Sequence, residues 1–308
     1  MHYYLINLGV FVYFQGRQQV PFQTTFPKLY YHPEHVHDQY GRVIANRIVD
    51  DRRAIAEMQM LAEMAWELRE QALPTIALYD NRLLYTPAGG DKNEAETTMK
   101  AYHAALTHLH DSGAILAGYI DNPYRSKRMI QLLYLLTLED EEAVKQNQGL
   151  LSRAGPFEGL VDRMLFDKVL KPGQRSAIMV QNSPANKSFR DRGESHEIAY
   201  FYLKIANAAT TRVVRVDIPA WVAWDKKKVD LLHGALLEQC RIQGSIPYPY
   251  AITRADELAV VQGKERDRLK QMIDAEVRRV RGLLSAHPRA AKARSKERAR
   301  GDKRSFEV

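Results

Sequence analysis

Cysteine is nearly absent from the sequence, which has only Cys240 among its 308 residues. A single cysteine excludes an intrachain disulfide framework and a zinc site built from cysteines, and it fits a reducing compartment. Long apolar runs are also absent, since none reaches the roughly 20 residues that a membrane-spanning helix needs. The apolar opening has neither a basic segment nor a small-residue cleavage site, so it does not resemble a signal peptide. We therefore expect a soluble cytoplasmic protein that acts without a membrane.

The net charge of +8 is concentrated at one end of the chain. Residues 288–308 carry eight Lys or Arg and three acids, a net charge of +5, which leaves +3 for residues 1–287. The nearly neutral body makes the overall charge a weak argument for nucleic-acid binding. A basic, Ala-rich tail with few aromatic residues is typical of a disordered segment. Two roles stay open for it: a solubilising end, or an arm that binds nucleic-acid phosphates.

Hydrophobic periodicity predicts one α/β domain with a mixed sheet over residues 1–287. Strands are predicted at 3–14, 41–48, 73–79, 115–120, 177–180 and, as an antiparallel pair, at 198–205 and 212–218. Helices are predicted at 50–71, 93–110, 126–138, 161–170, 226–241 and 264–284. The stretch from residue 17 to residue 33 is predicted to be irregular.

Two apolar strands each end on an aspartate. Asp80 follows one of these strands and Asp121 the other, and in open α/β sheets ligands lie outside the carboxyl ends of the strands. Asp121 precedes Asn122-Pro123, which favours a simple cap of the following loop. Asp80 has apolar neighbours on both sides, so its carboxylate is expected to be partly desolvated and to need a cation or several donors.

The helix predicted before Asp80 carries four glutamates: Glu57, Glu63, Glu67 and Glu70. Glu57 lies between Ile55 and Met58, at the edge of the apolar face, whereas Glu67 and Glu70 fit a solvated face. A helix acid beside a strand-end acid can build a site of oxygen ligands for a hard cation. The alternative is that all four glutamates are solvated.

The order of the elements resembles a ribonuclease H-like sheet, in which antiparallel strands are followed by a helix with a glutamate and by a strand that ends in aspartate. Six segments, in this order, resemble the NurA-domain nuclease family: DDRRAIAEMQML, PTIALYDNRLLY, AGYIDNP, FDKVLKPGQRSAI, TRVVRVDIPAWVAW and IPYPYAITRADELAVV. Their order and spacing are fairly specific together, and the resemblance extends to about Leu284.

The resemblance implies a ribonuclease H-like mixed sheet flanked by helices and a Mn²⁺ (or Mg²⁺)-dependent deoxyribonuclease. It implies cleavage within single-stranded DNA and 5′–3′ digestion of DNA ends. It also implies a homodimer that processes DNA ends together with a HerA-type hexameric ATPase, a DNA translocase.

The resemblance assigns the site residue by residue. Asp80 matches the strand-end metal ligand, and Glu57 matches the helix glutamate, with Glu63 as a less favoured register. Tyr248 matches the active-site tyrosine. Asp256 stands where the family has a histidine; an acid there can bind metal but cannot perform the same proton chemistry at neutral pH. The predicted catalytic set is therefore Glu57, Asp80, Tyr248 and Asp256.

The first strand of the family pattern has no counterpart in this sequence. The family's Asp-Gly-Ser motif, which carries its first metal ligand, would precede Tyr3, where only Met1 and His2 stand. We expect the natural protein to continue upstream with that strand, and the chain as given to be poorly soluble or inactive. The rival hypothesis is a catalytically inactive subunit of the same fold that binds DNA and the translocase.

Outside this set, Arg175 is a candidate contact for a DNA phosphate, because a guanidinium is well shaped for one. A pairing of Arg175 with an acid such as Asp167 is an equal alternative. Three histidines lie on one predicted helix: His103, His108 and His110. Their spacings do not align them for a metal as i, i+4 would, so they are predicted to be structural or exposed.

Overall fold

A computed structural model of the protein describes residues 2–88, 91–147, 157–207, 210–244 and 246–281. The chain forms two compact units, Met1–Ala259 and Val260–Val308. The predicted basic tail, residues 288–308, lies outside the described residues. None of the described helices is long and apolar enough to cross a membrane.

The larger unit is an α/β structure with seven described strands and ten described helices. The strands are β1 (Tyr4–Val12), β2 (Phe22–Tyr30), β3 (Ile76–Tyr79), β4 (Ile115–Ile120), β5 (Met179–Val180), β6 (Ile198–Ala206) and β7 (Thr211–Pro219). The helices are α1 (Pro33–Val36), α2 (Asn46–Glu67), α3 (Lys92–Asp111), α4 (Arg128–Leu136), α5 (Glu141–Asn147), α6 (Asp162–Val169), α7 (Pro184–Arg192), α8 (Ala220–Ala223), α9 (Lys226–Ile242) and α10 (Tyr250–Ala259). The smaller unit contains α11 (Gly263–Arg281), an amphipathic helix.

Five strands form a mixed sheet in the order β3-β4-β7-β6-β5. Strands β3 and β4 are parallel, and the other three neighbouring pairs are antiparallel. Strands β1 and β2 form a separate antiparallel hairpin. A five-stranded mixed sheet flanked by helices confirms the predicted α/β class and is consistent with a ribonuclease H-like fold.

The core lies on both faces of β4, β6 and β7. These strands are almost continuously apolar in sequence because helices cover both faces, which removes the alternation of a half-exposed strand. The main cluster joins them to α2, α3 and α9 through side chains such as Met58, Leu106 and Leu232. A second cluster packs α6 on the sheet through Phe166, Tyr200 and Tyr202.

Most of the predicted elements are confirmed. The structure places β4 at the predicted residues, and it places α3, α6, β6, β7 and α9 within one residue of their predicted ends. Helix α2 begins four residues before the predicted start, at Asn46. Asp51 consequently lies within the first turns of α2, is buried, and accepts a hydrogen bond of 2.5 Å from the Tyr85 hydroxyl and one of 3.1 Å from the Ala88 amide.

Two predictions in the N-terminal part are wrong. Residues 41–48 do not form a strand. Val43 makes one isolated bridge to His37, and helix α2 already begins at Asn46. Residues 17–33 are not irregular but contain β2, opposite β1. The proline at position 27 obscured this strand, because proline is depleted in sheets except at edges such as the one that β2 occupies.

Helices α7 and α10 were not predicted either. Each begins beside a proline, Pro184 at the start of α7 and Pro249 directly before α10, so the sequence there was typical of connecting segments. Ser183 caps α7 by accepting from the Asn186 amide. The C-terminal end of α10 lies on the hairpin, where the Asn7 side chain donates to the carbonyls of Leu258 and Ala259 at 3.3 and 3.0 Å.

Candidate active site

The carboxyl ends of β3 and β4 lie side by side at one edge of the mixed sheet. The two strands are parallel and in register from the Ile76–Ile115 pair to the Tyr79–Gly118 pair, so both run toward the same edge. Asp80 follows β3 directly and Asp121 follows β4. Parallel strands at the sheet margin therefore bring the two acids near each other, although 41 positions separate them in sequence.

Asp80 is contacted by Tyr248, which comes from the connection between α9 and α10. The Tyr248 hydroxyl donates a short hydrogen bond to Asp80 Oδ1. Two buried prolines, Pro247 and Pro249, flank the tyrosine and restrict its backbone. The Tyr119 ring of β4 meets the Tyr248 ring edge to face at 5.2 Å. Tyr248 is thus held in place from two directions.

The pKa of Asp80 is raised to about 6. The main cause is desolvation by the surrounding protein, and the neighbouring carboxylates of Asp256 and Asp121 add to it. The hydrogen bond from Tyr248 acts in the opposite direction because it stabilises the charged form. Asp80 is open to solvent on one side, so it is an accessible carboxylate in an unfavourable electrostatic environment.

Glu57 and Asp256 reach the same place from two helices. Desolvation raises the pKa of Glu57, Arg53 at 3.6 Å lowers it, and the Asp80 and Asp256 carboxylates raise it again. The Tyr79 hydroxyl also interacts with Glu57 and lowers its pKa. Desolvation raises the pKa of Asp256 on α10. The charges of these acids interact with Asp80 or Glu57, so the acids form one electrostatic cluster at the end of β3.

Asp121 belongs to the edge of the cluster but has a cation of its own. One guanidinium nitrogen of Arg212, at the start of β7, lies 2.6 and 2.5 Å from the two carboxylate oxygens. Asp121 was predicted to cap the loop that follows it, but the structure shows it in an ion pair with Arg212 of another strand. Since the Arg212 charge offsets that of Asp121, the uncompensated acids are those around Asp80.

The structure brings together the four residues of the predicted catalytic set: Glu57, Asp80, Tyr248 and Asp256. It also separates Glu57 from the other glutamates of α2, because Glu57 is half-buried while Glu63, Glu67 and Glu70 are exposed. Glu57 thus lies on the side of α2 that faces the end of β3, and Glu63 does not.

Arg175 lies outside this cluster. Its guanidinium forms a 2.9 Å ion pair with Asp230 on α9, and its backbone bridges to Leu203 of β6. Strand β6 is three strands away from β3, a distance of about 14 Å. The alternative of a pairing with an acid is thus confirmed, although the example Asp167 is wrong, because Asp167 pairs with Lys204 at 3.0 Å.

The donor set has the right chemistry for a hard divalent cation but is incomplete. Carboxylate oxygens are the ligands that Mg²⁺ and Mn²⁺ prefer, and a cation would relieve the mutual repulsion around Asp80. Within the described ranges, however, no group of three or more His, Cys, Asp or Glu residues is placed to hold a metal ion. The residues present therefore fit a metal in donor type, with water or substrate oxygens needed to complete its shell.

Two arginines of the site were missed by the sequence analysis. Arg53 is four residues before Glu57 on α2, and that spacing is a recognisable signal for a helical ion pair. Arg212 gave a weaker signal: a charged residue at the start of an apolar strand. Its contact with Asp121 joins residues 91 positions apart, which no local pattern encodes.

The comparisons with known proteins give one match. The model of the NurA domain matches residues 2–261, a range that contains every residue of the cluster. No curated protein and no solved structure matches the chain significantly.

Proposed function

The chain belongs to the NurA domain family, a family of nucleases, and on this premise we propose that it is a divalent-metal-dependent deoxyribonuclease. One observation carries the proposal: Glu57, Asp80 and Asp256 lie close enough at the carboxyl end of β3 for their charges to interact, and these charges are only partly compensated. Such a cluster is unfavourable without a cation, which supports a role in binding one.

Asp80 and Glu57 would hold the Mn²⁺ or Mg²⁺ ion, with Asp256 beside them. When bound, such an ion supplies an activated water and stabilises the leaving 3′ oxygen during phosphodiester hydrolysis. The protein's own groups orient the reactants. The pKa of Tyr248 is raised by burial and by its bond to Asp80, so its hydroxyl stays protonated and can donate to Asp80 or to a phosphate oxygen.

Positive charge for the DNA backbone is available at the rim of the cluster. Arg53 pairs with Glu57 and with Asp50, and its side chain is 56% exposed. Arg212 pairs with Asp121 and is 38% exposed. Guanidinium groups bind phosphate oxygens in a planar, directional way. We assign both arginines the role of drawing the phosphodiester toward carboxylates that would otherwise repel it.

The finer activity and its setting belong to the same proposal. The resemblance of the six segments to NurA nucleases supports cleavage within single strands and 5′–3′ digestion, in DNA end processing with a HerA-type ATPase. It also supports a homodimer. The single cysteine supports a cytoplasmic location.

A second candidate is a catalytically inactive subunit that binds DNA and the translocase. One observation favours it: among the residues that the structure describes, the acids do not form a group of three placed to hold a metal. The presence of Asp256 in place of the family histidine points the same way. The two candidates differ in a simple outcome, because only the nuclease degrades DNA.

The test compares two glutamates on the same helix. Glu57→Gln removes a proposed ligand, and Glu63→Gln removes an exposed acid of α2. With Mn²⁺ and a 5′-labelled single-stranded oligonucleotide, we expect Glu57→Gln to lose at least about 100-fold in rate, since even outer-shell groups of metal sites contribute 10–100-fold. Glu63→Gln should match the wild type. Cleavage by Glu57→Gln at the wild-type rate would contradict the site; DNA binding by a wild type that never cleaves would favour the inactive subunit.

A further inference from the structure

The backbone of Leu83, three residues after Asp80, is held by buried side chains at both its amide and its carbonyl. Its amide donates to Asp217 Oδ2 at 3.3 Å, and its carbonyl accepts from the Tyr102 hydroxyl at 2.9 Å. The side chains of Leu83, Tyr102 and Asp217 have no exposed surface. Two elements far apart in sequence, α3 and β7, thus both bind the backbone of one residue in the loop that begins with Asp80.

Asp217 is well suited to this task because its charge is already compensated. Arg215 donates from Nε to Asp217 Oδ1 at 2.7 Å, and the Arg215 guanidinium lies 3.9 Å from the centre of the Tyr200 ring. A buried carboxylate without such a partner would be strongly unfavourable. With Oδ1 paired, Oδ2 is directed to the Leu83 amide, and Asp217 acts as a fixed acceptor inside the sheet.

The loop can reach these groups only because position 118 is glycine. A Cβ atom there would lie 2.4 Å from the Asn81 carbonyl oxygen and 2.9 Å from the Leu83 side chain. Contacts this short do not occur in real structures, so any larger residue would force the loop away from β4. Gly118 is opposite Asp217 on one side and opposite Tyr79 on the other.

Asp80 is therefore enclosed between two fixed points of the backbone. Tyr79 is fixed in the ladder with β4, and Leu83 is fixed by its two buried partners. Only Asp80, Asn81 and Arg82 lie between them, and Asn81 Oδ1 accepts from the Arg82 amide at 2.8 Å. A segment this short has little freedom once its ends are set.

We propose that Tyr102 and Asp217 are positioning residues that set the position of the Asp80 carboxylate through the backbone of Leu83. Neither side chain touches Asp80. The effect on catalysis rests on the proposed nuclease function, whereas the effect on Asp80 itself does not. The alternative is that these buried hydrogen bonds serve only stability, and that Tyr248 alone orients Asp80.

The decisive variant is Tyr102→Phe, with Tyr202→Phe as its matched control. Tyr202 is also a fully buried tyrosine, and its hydroxyl contacts Ser126 and Asp162 at 2.8 and 2.9 Å, away from Leu83. Each variant removes one buried hydroxyl and leaves a ring of the same shape, so both should lower the melting temperature. Only Tyr102→Phe should change the loop at Asp80.

Two measurements on the metal-free protein decide the question without any activity assay. The Leu83 amide keeps its bond to Asp217 in Tyr102→Phe, but its hydrogen exchange should accelerate about tenfold, because loss of the bond to the Leu83 carbonyl makes local opening of the loop easier. The carboxyl ¹³C resonance of Asp80 should shift toward its position in Tyr248→Phe, where its bond to the tyrosine is lost. Neither should change in Tyr202→Phe. Equal changes in both variants, or an unchanged Asp80 resonance in Tyr102→Phe, would overturn the proposal.

A glycine pair gives a stronger perturbation in case one hydroxyl is too small a change. Gly118→Ala should displace the Asp80 loop and shift the Asp80 resonance, whereas Gly234→Ala on α9, which meets no atom within 4 Å, should not. In the nuclease assay, Tyr102→Phe should lower kcat about tenfold with KM for DNA unchanged. An unshifted Asp80 resonance in Gly118→Ala would also overturn the proposal. A wild type without nuclease activity would refute the proposed function alone, because the resonances would still report the position of Asp80.

Discussion

The carboxyl ends of β3 and β4 carry the same residue in opposite electrostatic surroundings. Asp121 is paired with Arg212, whose nitrogen contacts both of its oxygens. Among the residues that the structure describes, Asp80 is bonded to the neutral hydroxyl of Tyr248, and desolvation, with the charges of Asp256 and Asp121 adding to it, raises its pKa to about 6. Both aspartates end apolar strands, and both strands end at the same edge of the sheet.

The difference shows that a strand-end acid is made available for chemistry by what surrounds it. An acid with its own arginine has its charge offset and has little need of a further cation. An acid that has only a hydroxyl and like charges is destabilised until a cation binds. In the proposed function, the end of β3 would therefore present metal ligands, and the end of β4 would present a guanidinium for phosphate.

The largest expected effect tests this division directly. Asp80→Asn should lower Mn²⁺-dependent cleavage by about 100-fold or more, whereas Asp121→Asn should lower it by less than about tenfold, because only the first removes a proposed ligand. Initial rates on a labelled single strand, measured on variants with matched melting curves, give both numbers. Equal losses would mean that the two strand ends are not distinguished as proposed.

A second test asks whether the surroundings also control the charge of a buried histidine pair, His103 and His196, which is distant in sequence from Asp80. His103 Nδ1 lies 3.1 Å from His196 Nδ1, and both rings are buried. Burial, followed by the charge of His196, lowers the pKa of His103 to about 4, and burial lowers that of His196. The pKa of His103 in the folded protein lies below its unfolded value of about 6.5. The free energy of unfolding is therefore highest above pH 6.5, and it decreases as the pH falls toward 4, because the unfolded state then binds more protons.

Protonation linked to His103 should lower the free energy of unfolding by about 2 kcal/mol between pH 7 and pH 5, since each unit of pKa shift corresponds to about 1.4 kcal/mol. Urea unfolding of the wild type and of His103→Gln at both pH values measures it. The variant should lose less stability on acidification than the wild type does. The same pH dependence in both proteins would show that carboxylates, and not this pair, control acid unfolding.

The smallest expected effect concerns the Arg212–Asp121 pair itself. The side chains are 38% and 31% exposed, so solvent screening limits their coupling to about 0.5–1 kcal/mol. A double-mutant cycle of Arg212→Ala and Asp121→Ala, followed by urea unfolding, should give this value at low salt and a smaller one in 1 M salt. A coupling of zero at low salt would mean that Arg212 does not offset Asp121, and the contrast with Asp80 would be lost.

Local patterns in the sequence were sufficient for the core strands and for two ligand candidates. The apolar runs of β4, β6 and β7 predicted strands at these residues, and the structure confirms them. The position of Glu57 at the edge of an apolar helical face separated it from Glu67 and Glu70. Tyr248 and Asp256 needed the resemblance to a family, because nothing local marks a tyrosine between two prolines as part of a site.

The elements that the sequence did not reveal have local signals that conflict with their structure. Strand β2 contains Pro27, and α10 follows Pro249, so proline suggested connecting segments where a strand and a helix form. Edge pairing tolerates the first proline, and the start of a helix tolerates the second. Tertiary context overrode propensity in both places.

The pattern of apolar and acidic residues was enough to predict an α/β core with acids at the ends of two strands. Which of these acids keeps its charge uncompensated depends on contacts between residues far apart in the chain. Arg212 is 91 positions from Asp121, Tyr248 is 168 positions from Asp80, and Asp217 is 134 positions from Leu83. Periodicity reports on neighbours within a few residues, whereas the electrostatics of a carboxylate depends on whatever lies within a few ångströms, and the packing of the sheet sets those neighbours.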